Sequence, residues 1–99
     1  MTFEEYNDMA ARGEYIGSGS ERHIFMHSAA QRAIEITGRI NGGYHPPAEL
    51  RALFSELIGQ KVDEGFGLFP PFYTDYGRNI RVGKRVFINS GCCFQDQGG

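Results

Sequence analysis

Large apolar residues recur every six positions through the last quarter of the chain, at Tyr76, Val82, Ile88 and Phe94. The position after each is small or amide-bearing (Gly77, Gly83, Asn89, Gln95), and four positions after each lie Ile80, Val86, Cys92 and Gly98. This period fits neither an α-helix, at about 3.6 residues, nor a two-faced strand, at about 2. It predicts a parallel β-helix, in which short strands turn a corner at every hexad. Upstream the spacing is helical. Thr2-x-x-Glu5 forms a capping box, and Phe3, Tyr6 and Ala10 make one apolar stripe ending near Gly13. After the break at Gly17-Ser18-Gly19-Ser20, Ser18-x-x-Glu21 reads as a second box. It opens a longer helix with Phe25, Ala29, Ala33, Ile36 and Ile40 on one face, stopped by Gly42-Gly43. Pro46-Pro47 starts a third helix, whose Leu50, Leu53, Phe54, Leu57 and Ile58 give the cleanest amphipathic pattern; Gly59 ends it. Residues 60–75 have no helical period, and Pro70-Pro71 confines that stretch to a lead-in or a sheet edge. The expected class is α+β. A helical cap over 1–59 and an extended lead-in over 60–75 precede the start of a β-helix over 76–99, left incomplete at Gly99.

Length and composition narrow this picture without changing it. Ninety-nine residues suit one domain, or one small domain with a fragment of another. No apolar run approaches a membrane span and no leader pattern is present, so a cytoplasmic location is expected. The net charge of −2 conceals an asymmetry: residues 76–99 carry four basic and one acidic side chain, against six and eleven before them. That excess favours an anionic ligand but is too small to argue for nucleic acid. Cys92 falls on an inward rung and reads as a small buried hydrophobe, while Cys93 faces outward or sits at a corner. A zinc site from this pair alone is not expected, because structural zinc takes about four ligands. His23 and His27 share a helical face but have no third ligand at useful spacing, so no metal is expected.

The run Asp75-Tyr76-Gly77-Arg78-Asn79-Ile80-Arg81-Val82-Gly83, with Phe87-Ile88-Asn89 beyond it, resembles the hexapeptide-repeat sugar O-acetyltransferases, including the maltose, galactoside and nodulation-type enzymes. The stretch from Met9 to Tyr15, the Pro-Pro opening and the leucine-rich third helix resemble that family's N-terminal cap. The resemblance implies a left-handed parallel β-helix, assembled as a homotrimer or otherwise self-associated. It implies transfer of an acetyl group from acetyl-CoA to a sugar hydroxyl, with a histidine as general base and no metal. It places that histidine, and most of the acetyl-CoA groove, beyond Gly99; His23, His27 and His45 match no catalytic position.

Carried over by position, Asn89 matches an acceptor-binding asparagine, and Asp96 lies at or one residue from an acceptor-binding aspartate, with Gln97 as the competing alignment. Asp75 stands where the family presents a polar acceptor contact. Phe87 keeps a ring where some members have tyrosine, and Ser18 replaces an aspartate that touches sugar in the galactoside enzymes. Each has a plainer reading beside it. The amides of Asn89 and Gln95 could bond backbone at coil corners, and Asp75 could stabilise the turn before Gly77. Arg78, Arg81, Lys84 and Arg85 could guide CoA phosphates, although solvated corners explain them as well. The alternative function is a non-enzymatic carbohydrate-binding or assembly-capping module. A hydratase-type hexapeptide protein ranks last, because residues 76–99 contain no histidine. Since a β-helix needs about three stacked repeats to bury its faces, self-association or a partner chain is expected.

Overall fold

Thr2 and Glu5 close the first capping box reciprocally in the computed structural model, which describes residues 1–12 and 20–97. The Thr2 N–H donates to Glu5 Oε1 at 2.9 Å, and the Glu5 N–H donates to Thr2 Oγ1 at 3.0 Å. These bonds satisfy two donors that α1 (Phe3–Ala11) would otherwise leave open. The expected end near Gly13 and the sugar-contact position at Ser18 lie outside the described residues. Helix α2 (Glu21–Asn41) begins differently from expectation. Ser20 is its N-cap, accepting from the His23 N–H at 3.1 Å, so Glu21 is the first helical residue and not the third of a box opened at Ser18. Buried Ala29, Ala33, Ile36 and Ile40 form its inner face, with Phe25 half-buried at its start.

Helix α3 (Pro47–Ile58) carries proline in its first turn and ends at Gly59, whose φ of 74° and N–H bond to the Ser55 carbonyl make a left-handed C-cap. Arg32 reaches over from α2 and donates to the carbonyls of Glu56 and Leu57, orphaned at the end of α3. The two helices also share the core of Ala33, Ile36, Ile40, Leu50, Phe54, Leu57 and Ile58.

Four short strands follow: β1 (Gly67–Leu68), β2 (Phe72–Thr74), β3 (Phe87–Ile88) and β4 (Cys92–Phe94). They form two parallel pairs, β1 with β3 and β2 with β4, each matching residues twenty apart (Gly67 with Phe87, Phe72 with Cys92). Parallel partners at constant offset are one coil stacked on the next. The stretch expected as a lead-in therefore includes the lower layer of the coil, and the Pro70-Pro71 corner falls between its two strands. Edge placement reconciles the prolines with pairing, since neither must donate to a ladder. The turns stack as well: the Asp63 carboxylate accepts from the N–H of Gly65 in the lower turn and of Arg85 in the upper one, at 2.9 and 3.2 Å.

The twenty-residue offset exceeds three hexads by two, and the six-residue ladder is correspondingly uneven. Ile80 and Ile88 are buried in the main core, and Val82, Val86, Cys92 and Phe94 pack partly buried against it. Tyr76, the first expected rung, packs instead with Tyr6 and Ala29 beneath α1. Its hydroxyl donates to Asn7 Oδ1, and burial pushes its pKa up to about 12, so the phenol stays a donor. Cys93 is exposed and Cys92 half-buried, and both are free thiols.

Candidate functional site

Strand alternation turns Phe87 outward, leaving it half exposed with its edge against the ring of Phe69, centroids 4.8 Å apart at 89°. Two residues on, where the chain leaves β3, Asn89 is exposed. Its Oδ1 accepts from the Ser90 N–H at 2.8 Å, which fixes the corner and leaves the amide nitrogen free among the described residues. Phe87 and Asn89 thus share one end of the β1–β3 sheet.

Asp75 and Asp96 sit elsewhere, past the ends of β2 and β4. Asp96 Oδ1 accepts from Thr74 Oγ1 at 2.7 Å and from the Gly77 N–H at 2.9 Å, and its Oδ2 accepts from the Asn79 N–H at 3.0 Å. Its carbonyl accepts from Asn79 Nδ2 at 2.8 Å. Gly77 has φ of 88° and packs on Leu57, so its N–H is aimed by a backbone conformation that side-chain-bearing residues rarely adopt. Asp96 therefore knots the upper coil to the turn after β2, and both carboxylate oxygens are engaged within the chain. Asp75 is tied to it: the Asp96 N–H donates to Asp75 Oδ1 at 3.0 Å. Partial burial pushes the Asp75 carboxyl above its ordinary value, and the neighbouring Asp96 charge adds to the rise. Gln97 Nε2 donates to Tyr6 Oη at 3.1 Å. The four expected site residues thus form two pairs, Phe87 with Asn89 and Asp75 with Asp96.

Two of the four basic candidates have structural partners. The Arg78 guanidinium lies 4.2 Å from the centroid of Phe3, a cation–π contact. Arg81 Nη1 donates to the carbonyls of Arg78 and Ile80, each at 3.2 Å. Among the described residues no group of three or more His, Cys, Asp or Glu side chains is placed to hold a metal ion. His23 and His27 stack edge to face, centroids 4.6 Å apart. Among the described residues no helix is long and apolar enough to cross a membrane.

Sequence reasoning passed over a polar side chain that joins the helices to the coil. Asn41, the last residue of α2, donates from Nδ2 to the Phe72 carbonyl and accepts at Oδ1 from the Phe72 N–H, both at 2.9 Å. Its amide supplies β2 with the hydrogen bonds of a neighbouring strand. The signal available was an asparagine at a helix end, which reads first as a cap.

His45, between α2 and α3, has acceptors at both ring nitrogens: Nε2 is 2.6 Å from the Arg39 carbonyl oxygen and Nδ1 is 2.9 Å from Glu49 Oε1. Two acceptors require two N–H donors, which only the imidazolium supplies. The Arg39 carbonyl, and after it Glu49, hold the His45 pKa above its ordinary 6.5. The Arg39 guanidinium does not oppose this, since it is paired with Glu56 at 2.7 Å. A raised folded-state pKa means the stabilisation is fully present below the unfolded value near 6.5 and fades as pH rises through the folded value. Denaturation of the parent and of His45→Gln should therefore give stability curves that run a constant distance apart below pH 6.5, with the parent more stable, and converge as the pH rises above 6.5 through the raised folded-state value. A constant separation at all pH values would show a neutral ring.

No protein-family model matches the sequence. The chain is 47% identical over 46 residues to Putative acetyltransferase SH0499 of Staphylococcus haemolyticus, a match taking in 46% of this chain and 23% of that protein. It is 31% identical over 74 residues to Putative acetyltransferase SACOL2570 of Staphylococcus aureus, taking in 75% and 37%. It is 46% identical over 44 residues to Nodulation protein L of Rhizobium leguminosarum, taking in 44% and 23%. The chain therefore spans less than two-fifths of the length of these relatives. Among solved structures, the hexapeptide-repeat-containing acetyltransferase VCA0836 of Vibrio cholerae superposes with a TM-score of 0.66 at 29% identity, over 74% of this chain and 40% of that one. Sequence relatives and coil geometry converge: the chain belongs to the hexapeptide-repeat acetyltransferase family and corresponds to its N-terminal part.

Proposed function

We propose that this chain serves the transfer of an acetyl group from acetyl-CoA to a sugar hydroxyl, contributing the helical cap and part of the acceptor site. The observation that carries the reading is the stacked parallel coil, β1 on β3 and β2 on β4, in a chain whose sequence relatives are named acetyltransferases. Asn89 is the acceptor-binding residue best placed for the task, since its amide nitrogen is free to donate to a sugar oxygen. Phe87, outward and half exposed, offers an apolar face to a pyranose ring. Asp75 is the exposed carboxylate of its pair, while Asp96 acts through position, fixing Asp75 by its backbone N–H. The left-handed sense of the coil and the trimeric state belong to the same proposal.

The general base is assigned to a histidine following Gly99. His45 is unsuited to it, because both of its nitrogens are committed to the Arg39 carbonyl and Glu49. Two proteins test the proposal through release of free CoA thiol with maltose, a galactoside or N-acetylglucosamine as acceptor. The 99-residue chain should give no release above background, and robust turnover by it would overturn the placement of the base. A chimera joining this chain to the remaining coils of the Staphylococcus aureus relative should transfer acetyl groups. Asn89→Ala should lower its kcat/KM about 100-fold, the scale of a lost orienting contact. A folded chimera that acetylates no sugar would refute the acceptor class.

A further inference from the structure

A concavity of about 640 Å3 lies between the start of α3 and the lower coil; none of Asn89, Phe87, Asp75 or Asp96 lines it, although its Phe69 meets the Phe87 ring and its Ser90 follows Asn89. Its floor is apolar, built from Leu50 and the residues around β1, with the Ser90 hydroxyl at one side. Tyr44 and Phe69 form its lips and are 87% and 60% exposed, unusual for rings with apolar area to bury. Among the described residues the charged side chains lining it are His45 and Arg51, and no carboxylate lines it. The His45 charge is answered by Glu49, but the Arg51 guanidinium makes no ion pair or hydrogen bond among the described residues. An apolar pocket of this size with one uncompensated cation and two exposed rings has the composition of a small-molecule site.

We infer that this cleft binds a small aromatic carboxylate, its ring between Tyr44 and Phe69 and its carboxylate on Arg51. Charge complementarity selects an anion over a neutral ring, because a carboxylate gives Arg51 the bidentate partner it lacks within the chain. The inference is independent of acetyl transfer and stands or falls without it.

The probe is indole-3-acetate, with indole-3-acetamide as its neutral counterpart, titrated into the 99-residue chain and followed by amide NMR. Indole-3-acetate should shift the amides of Tyr44, Phe69 and Ser90 saturably, with a millimolar dissociation constant. The acetamide should bind about tenfold more weakly, the scale of one charge-assisted hydrogen-bond pair. Arg51→Gln should erase the difference between the two ligands, and Arg51→Lys should restore part of it; unchanged peak dispersion in both variants shows that the fold is intact. Shifts confined to other surfaces, equal affinity for acid and amide, or no saturable shift would overturn the inference. So would concentration-dependent shifts of the cleft amides without ligand, which would assign the cleft to a second copy of the chain.

Discussion

Asp96→Ala is expected to cost about 3 kcal/mol of folding stability, because it removes a charged acceptor shared by three donors and leaves two backbone N–H groups to find other partners. The donors come from three separate residues, Thr74, Gly77 and Asn79, and their geometry is held by the left-handed backbone at Gly77. Water cannot replace the carboxylate at all three points without opening the stack of β4 on β2. Asp96→Asn should lose roughly half as much, since one side-chain oxygen still accepts while the charge is gone. Urea denaturation of parent and variants measures both. A loss below about 0.5 kcal/mol for alanine, the range of an ordinary surface substitution, would mean that the carboxylate does little for the fold and is available to an acceptor. The result thus separates a structural Asp96 from a sugar-binding one without any assay of transfer.

The sequence exposed the helices most fully, because capping and amphipathic stripes are local. Thr2 with Glu5 and the Leu50–Ile58 face are found as expected. At α2 the local code was ambiguous: a serine and a glutamate at box spacing sit beside Ser20, and the hydroxyl nearer the helix is the one that caps it. The six-residue period named the coil, yet it hid where the coil begins. Phe66, Leu68 and Phe72 belong to the same stack but are spaced by a turn and a proline corner. Pairing between residues twenty apart depends on corner geometry, which no short window of sequence contains. Site residues were legible in identity and less so in arrangement. Asn89 and Phe87 fall together, whereas Asp96 turns inward to its own backbone, a commitment visible only once Gly77 and Asn79 are brought beneath it. Asn41 and Arg32 were missed because their partners lie 31 and 25 residues away.

Phe54→Ala should be the most damaging single change, lowering stability by about 3–5 kcal/mol. Phe54 is fully buried on α3, and its ring stacks on Phe66 at 4.7 Å and meets Phe72 edge-on at 5.2 Å. Phe72 in turn meets Phe94 of the upper layer at 5.2 Å. One ring therefore joins the helical part to the lower coil and, through Phe72, to the strand stacked above. Removing it leaves a cavity bounded by two rings, Phe72 fixed by its pairing with Cys92 and Phe66 held by the turn just before β1, so collapse around the gap is limited and the penalty falls at the upper end. Domains of this size have only about 5–15 kcal/mol in total, so Phe54→Ala should leave a large fraction of the chain unfolded at 37 °C. Phe54→Leu retains most of the volume and should cost about 1.5 kcal/mol. Ile24→Ala, at a helix position 63% exposed, should stay within about 0.5 kcal/mol. Urea melts of the three variants test the ranking. If Phe54→Ala and Ile24→Ala unfold at the same midpoint, the helices and the coil do not share a core, and the coil must hold together by its own strand pairing. A wide separation with Phe54→Leu between them makes α3 the support on which both layers of the coil are built.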